Sequence, residues 1–515
     1  MSRATNNSPM RAIGLETKCK RTALILCSVL IAILFSNGYS AGRSIPTTTT
    51  DGTTLNHPSE IEFEALDWQV PTGEEYREQL SNGLRTYIAT DSSLPLVTIK
   101  GYISHSSIND PENKKGLGTL MSRLLRRGGT EKFPADSLNE LVDLLSIKFS
   151  FSQNEAYMSF SATFLSEYLD TAMVILEEMF FRPAFDESVL EREKRIMKES
   201  IRHRFVNPQP VLHAAYKKQF YSETILSPIT TLESIESITR EDLIELHDQV
   251  FTTDNIILSF SGSFDREDMI SRLENTFPSA SNARGVVAFD EISPNTLTDA
   301  LIVHRPINQT YVRMGVPLFS RPHPDYYAVS VMNLILGGGG FTSRLGTKVR
   351  SDAGLTYSIF SRGESNYQYP GTLHIEFNTR TETLPLAISL VLKEVENLIE
   401  NGVTEEELEN AKATIIAQLP GMFRSVEDIT DTYTMNEYFG RAPDHFVVYP
   451  QHINDITVED IQRVAQKYLN PDEFIYTIVT DTEALKNLPV TDDGFDVLGI
   501  ENKLIIEANE IETLP

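Results

Sequence analysis

The chain has 515 residues, 41% of them apolar and 23% charged, with a formal net charge of −27. That length is too great for one hydrophobic core and predicts several domains of ordinary globular composition. The acidity argues against nucleic acid or anionic lipid as a partner and favours basic or neutral peptides, with plain solubility an equal reading.

Residues 1–41 read as a secretory signal peptide. Lys18, Lys20 and Arg21 form a positive start, residues 23–35 are an apolar run of 13, and small or polar residues follow up to Ala41. The run is too short for a stable bilayer span, and an uncleaved N-terminal anchor is the other reading. Cleavage removes five positive residues and one negative, taking the net charge from −27 to −31. It also removes Cys19 and Cys27, so the mature chain is expected to carry no disulfide and no thiol chemistry. No later stretch is apolar for long enough to cross a bilayer. A periplasmic or secreted protein without membrane contact after cleavage is therefore expected.

Residues 42–70 are rich in Thr, Ser and Pro and read as a flexible linker. A first lobe is expected over 71–285. It opens with the turn Asn82-Gly83-Leu84, then a strand over 96–102 and the segment Gly116-Leu117-Gly118-Thr119-Leu120-Met121-Ser122-Arg123. A strand over 156–163 and an amphipathic helix over 168–180 come next, then the charged helical run from Arg192 to Ser200, with Glu199 inside it. Residues 286–300 lack long periodicity and read as an inter-lobe linker. A second lobe is expected over 301–485, with strands over 371–377 and 474–479 and a helix over 384–399. Residues 486–515 read as an irregular acidic tail.

The two lobes repeat. Ile235-Glu236-Ser237-Ile238-Thr239-Arg240-Glu241-Asp242-Leu243 matches Ile453-Asn454-Asp455-Ile456-Thr457-Val458-Glu459-Asp460-Ile461 at an offset of 218, which holds to Ile257 and Ile475. Each copy predicts a Thr N-cap, a helix and an apolar strand. Leu169, Ala172 and Leu176 before Asp186-Glu187 parallel Leu384, Ala387 and Val391 before the capping box that starts at Thr404. Each lobe is thus expected to be an α+β sandwich.

Chemistry-bearing patterns are few. None of the ten His stands four residues from another, no His/Glu cluster has ligand spacing, and no Gly-x-Ser-x-Gly is present. Gly337-Gly338-Gly339-Gly340 is not followed by Lys-Ser/Thr, so a phosphate loop is a weak reading. What remains is Ser343-Arg344-Leu345 and then Arg350 and Tyr357, seven residues apart. Taken alone, a capped Tyr and a surface-paired Arg account for these two.

The order Asn-Gly-Leu, Gly-Leu-Gly-Thr-Leu-Met-Ser-Arg, Gly-Gly-Thr, and later the Gly-rich turn with Ser-Arg-Leu and Arg-Ser-Asp-Ala-Gly-Leu-Thr-Tyr-Ser, resembles the pitrilysin/insulinase metallopeptidases over residues 76–485. That family's first lobe carries His-x-x-Glu-His, two His on one helix face gripping zinc and a Glu activating water. Here the three positions are Thr119, Ser122 and Arg123: poor ligands and a cation that repels zinc. The family's last ligand corresponds to Glu199, 76 residues after Arg123; a lone Glu on a charged helix reads first as a solvated face residue, and a Glu199–Arg123 ion pair filling the old metal site is the sharper reading. The resemblance implies a half-clamshell of two lobes that binds no cofactor itself. In this reading Arg350 holds a substrate carbonyl and Tyr357 stabilises the oxyanion, for a zinc-bearing paralogous partner, with Gly338, Gly339 and Gly340 approaching an unfolded peptide substrate. An inactive scaffold or peptide-binding protein of the same fold is the alternative.

Overall fold

The computed structural model describes residues 68–280, 292–488 and 494–515, and residues Gln69–Pro515 form one compact unit. The expected signal peptide, most of the 42–70 linker and the start of the 286–300 linker lie outside the described residues. Among the described residues no helix is long and apolar enough to cross a membrane.

Two six-stranded sheets organise the chain. The first contains β1 (Arg77–Gln79), β2 (Arg85–Thr90), β3 (Leu96–Ile103), β4 (Lys148–Gln153), β5 (Met158–Leu165) and β6 (Ile256–Gly262), in the order β1-β2-β6-β3-β5-β4. The second contains β7 (Ala300–His304), β8 (Gln309–Pro317), β9 (Ile359–Glu364), β10 (Thr372–Arg380), β11 (Ile475–Thr480) and β12 (Lys503–Glu507), in the order β12-β7-β11-β8-β10-β9. Five strands correspond one to one, and only the outer strand beside β2 or β7 differs. β1 joins as an antiparallel hairpin partner, whereas β12 joins in parallel. The architecture is the expected two-lobe α+β fold.

Sequence explains the local elements. In β5, Met158, Phe160, Ala162 and Phe164 alternate with polar neighbours, so one face enters the core. Phe160 meets Phe151 at 4.8 Å and Phe180 at 5.0 Å, in tilted and edge-to-face contacts. β6 and β11 read instead as near-continuous apolar runs, because strands at the middle of a sheet covered on both faces have no wet side. The repeat is visible as matching capping boxes: Thr239 with Asp242 starts the helix Arg240–Val250, and Thr457 with Asp460 starts Val458–Tyr468.

What covers the second face of each sheet departs from the linear division into lobes. The helix Pro208–Phe220 lies within the first-lobe span, yet Val211, Leu212 and Ala215 pack with Leu301, Val303, Val479 and Ile506 of the second sheet. Conversely, the helix Val426–Tyr438 lies on the first sheet, where Glu437 accepts from Arg77 at 2.8 Å and from Tyr87 at 2.9 Å. Asp431 there accepts from Tyr102 at 2.8 Å and from Lys100 at 3.1 Å. The lobes therefore exchange one helix each. An amphipathic helix encodes that a face is buried, not against which sheet.

Two further expectations are corrected. The described part of the 286–300 linker is bound structure: Leu297 donates to the Gln219 carbonyl, Asn295 bonds with Ser222, and β7 begins at Ala300. The span 486–515 is not an irregular tail either. Its residues 503–507 form β12, and its last turn is fixed where Lys218 donates to the Leu514 carbonyl and Ser227 to that of Pro515. Apolar Leu504 and Ile506 share the apolar cluster with Val211, and acidic composition masked that alternation.

Candidate functional site

The first-lobe motif sits on the helix Leu117–Arg127, which covers β4. Its start is set by Asp110, whose buried carboxylate accepts from the N–H groups of Gly116 at 3.1 Å and Gly118 at 3.2 Å and bonds His105 at 3.1 Å. A negative charge there also matches the helix dipole. A Cβ at Gly118 would stand 2.0 Å from the Gln153 amide nitrogen, so the Gln153 side chain would have to move to admit one.

None of the altered positions offers a metal ligand. Thr119 donates to Gln153 at 3.1 Å, and Ser122 turns its hydroxyl back to the Gly118 carbonyl at 2.9 Å. Arg123 reaches Glu193 at 3.4 Å, and Arg127 reaches the same carboxylate at 3.0 Å. Glu193 is 1% exposed, so these two guanidiniums, with that of Arg192 at 3.9 Å, neutralise a buried charge. A zinc ion does not fit this set: two hydroxyls already engaged and two cations. Among the described residues no group of three or more His, Cys, Asp or Glu is arranged to hold a metal.

The expected Glu199–Arg123 pair is not formed. Glu199 is 59% exposed and bonds Arg202 at 3.1 Å and His203 at 2.8 Å. On the helix Glu187–Arg202, Glu193 and Glu199 are six positions apart, which places them on different faces. The inward face carries Val189, Leu190, Glu193 and Met197, so Glu193 is the group that meets Arg123. Glu199 is the solvated helix-face residue of the first reading, and for the partner of Arg123 helical phase against the apolar positions was the usable signal.

The second-lobe motif is a built structure. The helix Tyr326–Asn333 runs into a wide turn over Leu334–Gly338. Gly337 packs where a Cβ would lie 2.4 Å from the Ser361 amide nitrogen of β9, and Gly339 donates to the Leu334 carbonyl at 2.8 Å. Gly338 abuts Asn333. Only Gly340, at φ +63°, faces open space. Gly337 thus serves close approach of the chain to itself, whereas Gly338 and Gly340 are exposed. Arg344 of Ser-Arg-Leu donates twice to Glu407, at 2.7 and 2.8 Å, and fixes this turn to the helix Glu405–Gln418.

Arg350 and Tyr357 are brought together. The Arg350 Nε donates to the Tyr357 carbonyl at 2.6 Å, and its guanidinium lies 5.6 Å from the Tyr357 ring. The same guanidinium stacks 3.7 Å from the Phe341 ring. Tyr357 is 84% exposed and Phe341 69%, and the Tyr357 hydroxyl forms no hydrogen bond among the described residues. A packed, capped structural tyrosine is therefore the wrong account of Tyr357. Phe341 escaped the sequence reading; its signal was a large aromatic directly after four glycines.

Comparison with known proteins bears on the family and the fold. Residues 86–231 match the family model for insulinase (peptidase family M16), and residues 237–415 match that for the peptidase M16 inactive domain. An uncharacterized zinc protease, YmxG, of Bacillus subtilis is 27% identical over 65% of this chain and 81% of its own. The non-peptidase homolog YmxG of Helicobacter pylori is 24% identical over 73% and 84%. The mitochondrial-processing peptidase subunit beta of Dictyostelium discoideum is 24% identical over 76% and 85%. A solved peptidase M16 inactive domain from Pseudomonas fluorescens superposes with a TM-score of 0.69 over 78% of this chain and 97% of its own, at 22% identity, a likeness of fold. The chain belongs to the pitrilysin/insulinase (M16) peptidase family, as a member whose zinc-binding motif is degenerate.

Proposed function

We propose that this protein is an exported, non-zinc subunit of a heteromeric peptidase, supplying Arg350 and Tyr357 to a paralogous partner that bears the zinc. The observation that carries the reading is the exposed Tyr357 side chain, its ring 5.6 Å from a guanidinium held in place by the Tyr357 carbonyl and by its stack on Phe341. Holding the guanidinium beforehand lowers the ordering cost of gripping a substrate carbonyl. The phenol can donate to an oxyanion as charge develops on it. Zinc chemistry belongs to the partner, because Thr119, Ser122 and Arg123 cannot supply it here. The relative described as a subunit of the mitochondrial processing peptidase supports pairing between family members.

The test is cleavage of a quenched fluorescent peptide by the mature chain mixed with a paralogue that carries His-x-x-Glu-His. Cleavage should need both chains, and Tyr357→Phe should slow it by about 10²-fold or more. If the partner cuts equally well alone, or the variant is unaffected, the catalytic role fails. The second reading, an inactive scaffold or peptide binder, then stands; the relative described as a non-peptidase homolog favours it.

A further inference from the structure

The net charge of the chain is strongly negative, yet the cavity beside the altered motif has cations and no carboxylate in its wall, the nearby acids Asp110, Glu112 and Glu512 lining the adjoining cavity. A cavity of about 240 Å³ opens next to Thr119, and Lys115, Arg204 and Lys217 stand in its wall; no Asp or Glu is among the residues that line it. Lys217 is neutralised by an ion pair with Glu155. Lys115 is not neutralised in that way. It is 6% exposed, and its ammonium donates at 3.1 Å to the carbonyls of Ser107 and Ile108, with no carboxylate within ion-pair distance among the described residues. An ammonium has three N–H donors, so one remains. Arg204 donates to the Thr230 carbonyl and forms a long ion pair, at 3.8 Å, with Glu512, which stands outside the cavity wall. Burial disfavours the charged form of both Lys115 and Arg204, as expected of cations whose compensating charge is incomplete.

We propose that this cavity binds a carboxylate group of a peptide, held between the ammonium of Lys115 and the guanidinium of Arg204. Apart from the three cations the lining mixes apolar Ile108, Ile225, Leu226 and Ile229, which suit the hydrocarbon part of the residue that carries the carboxylate, with the polar Ser107, Thr119 and Thr230. The volume admits one such residue and is small for a nucleotide. The bound carboxylate would add, in charge-assisted hydrogen bonds, to the partial counter-charge that Asp110, Glu112 and Glu155 give Lys115 and that Glu512 gives Arg204. The whole-chain charge predicts basic or neutral peptides, and this site selects for an acidic feature within them. The inference rests on the peptide-handling reading above for its choice of probe. It is measured on this chain without a partner, so it can fail while the Tyr357 test succeeds, and the reverse.

The experiment is calorimetric titration of the mature chain with three short peptides of one Gly/Ser/Leu sequence: free at the carboxyl end, amidated there, or amidated with one internal Glu. Binding of the first assigns the site to a chain end, binding of the third to an acidic side chain, and either supports the proposal. Lys115→Met and Arg204→Gln should each weaken that binding by about tenfold or more. If Lys115→Met fails to fold, Arg204→Gln alone decides. Equal binding of the neutral amidated peptide, no binding of either carboxylate peptide, tighter binding of inorganic phosphate, or indifference to Arg204→Gln overturns the proposal.

Discussion

Glu376→Gln tests how the exchanged helix Pro208–Phe220 is held on the second sheet. The Glu376 carboxylate, on β10, is 7% exposed and accepts from Arg313 at 2.6 Å. His213 lies 3.4 Å away and Gln209 also donates to it, both from the exchanged helix. Burial pushes this carboxyl up, but the bonds from His213 and Arg313 outweigh it and bring it from 4.5 to about 2. At 1.36 kcal/mol per pH unit, that displacement is worth about 3 kcal/mol. The folded value lies below the unfolded one, so this stability is fully present above about pH 5 and is lost as pH falls towards 2. Glu376→Gln, which leaves the buried Arg313 with a neutral acceptor, should cost about 2–3 kcal/mol near pH 7. The difference from wild type should shrink to roughly half or less near pH 3, since the wild-type carboxylate is then giving up its own advantage. Urea titrations of both proteins at the two pH values measure it. A penalty that stays constant down to pH 3, or none at pH 7, would refute the reasoning.

Three further outcomes are expected. Glu193→Ala should destabilise by about 2 kcal/mol, because it strips two guanidiniums of a buried partner, while Glu199→Ala should change stability by less than about 0.5 kcal/mol; equal effects in urea unfolding would contradict the assignment of Glu193 as the partner of Arg123. Thr239→Ala and Thr457→Ala should each cost about 1 kcal/mol, and clearly unequal losses would show that the two capping boxes are not equivalent in the fold. Gly337→Ala should lower the thermal midpoint more than Gly340→Ala, because the first drives a methyl group into the β9 backbone and the second meets only the left-handed backbone penalty of about 1 kcal/mol; the reverse order would sink this account of the turn.

Much of this was legible in the sequence. The repeat at an offset of 218 reappears as paired helices and strands, since capping boxes and apolar runs are signals within a few residues. The degenerate motif could be read position by position, because its meaning lies in residue chemistry. The Arg350–Tyr357 pairing was legible as a motif, and the structure adds the carbonyl bond and the Phe341 stack that give it a shape.

Tertiary structure alone decided the rest. It set which sheet each exchanged helix covers, and it turned the acidic span 486–515 into a sixth strand paired in parallel with β7. It replaced Glu199 by Glu193 as the partner of Arg123, and it gathered Lys115, Arg204 and Lys217 around one cavity. The physical reason is the same in each case. Periodicity and capping are short-range properties that state that a face will be buried or a helix will begin. The partner that buries the face, or leaves a charge without its counter-ion, is chosen among segments tens to hundreds of residues apart by packing and desolvation.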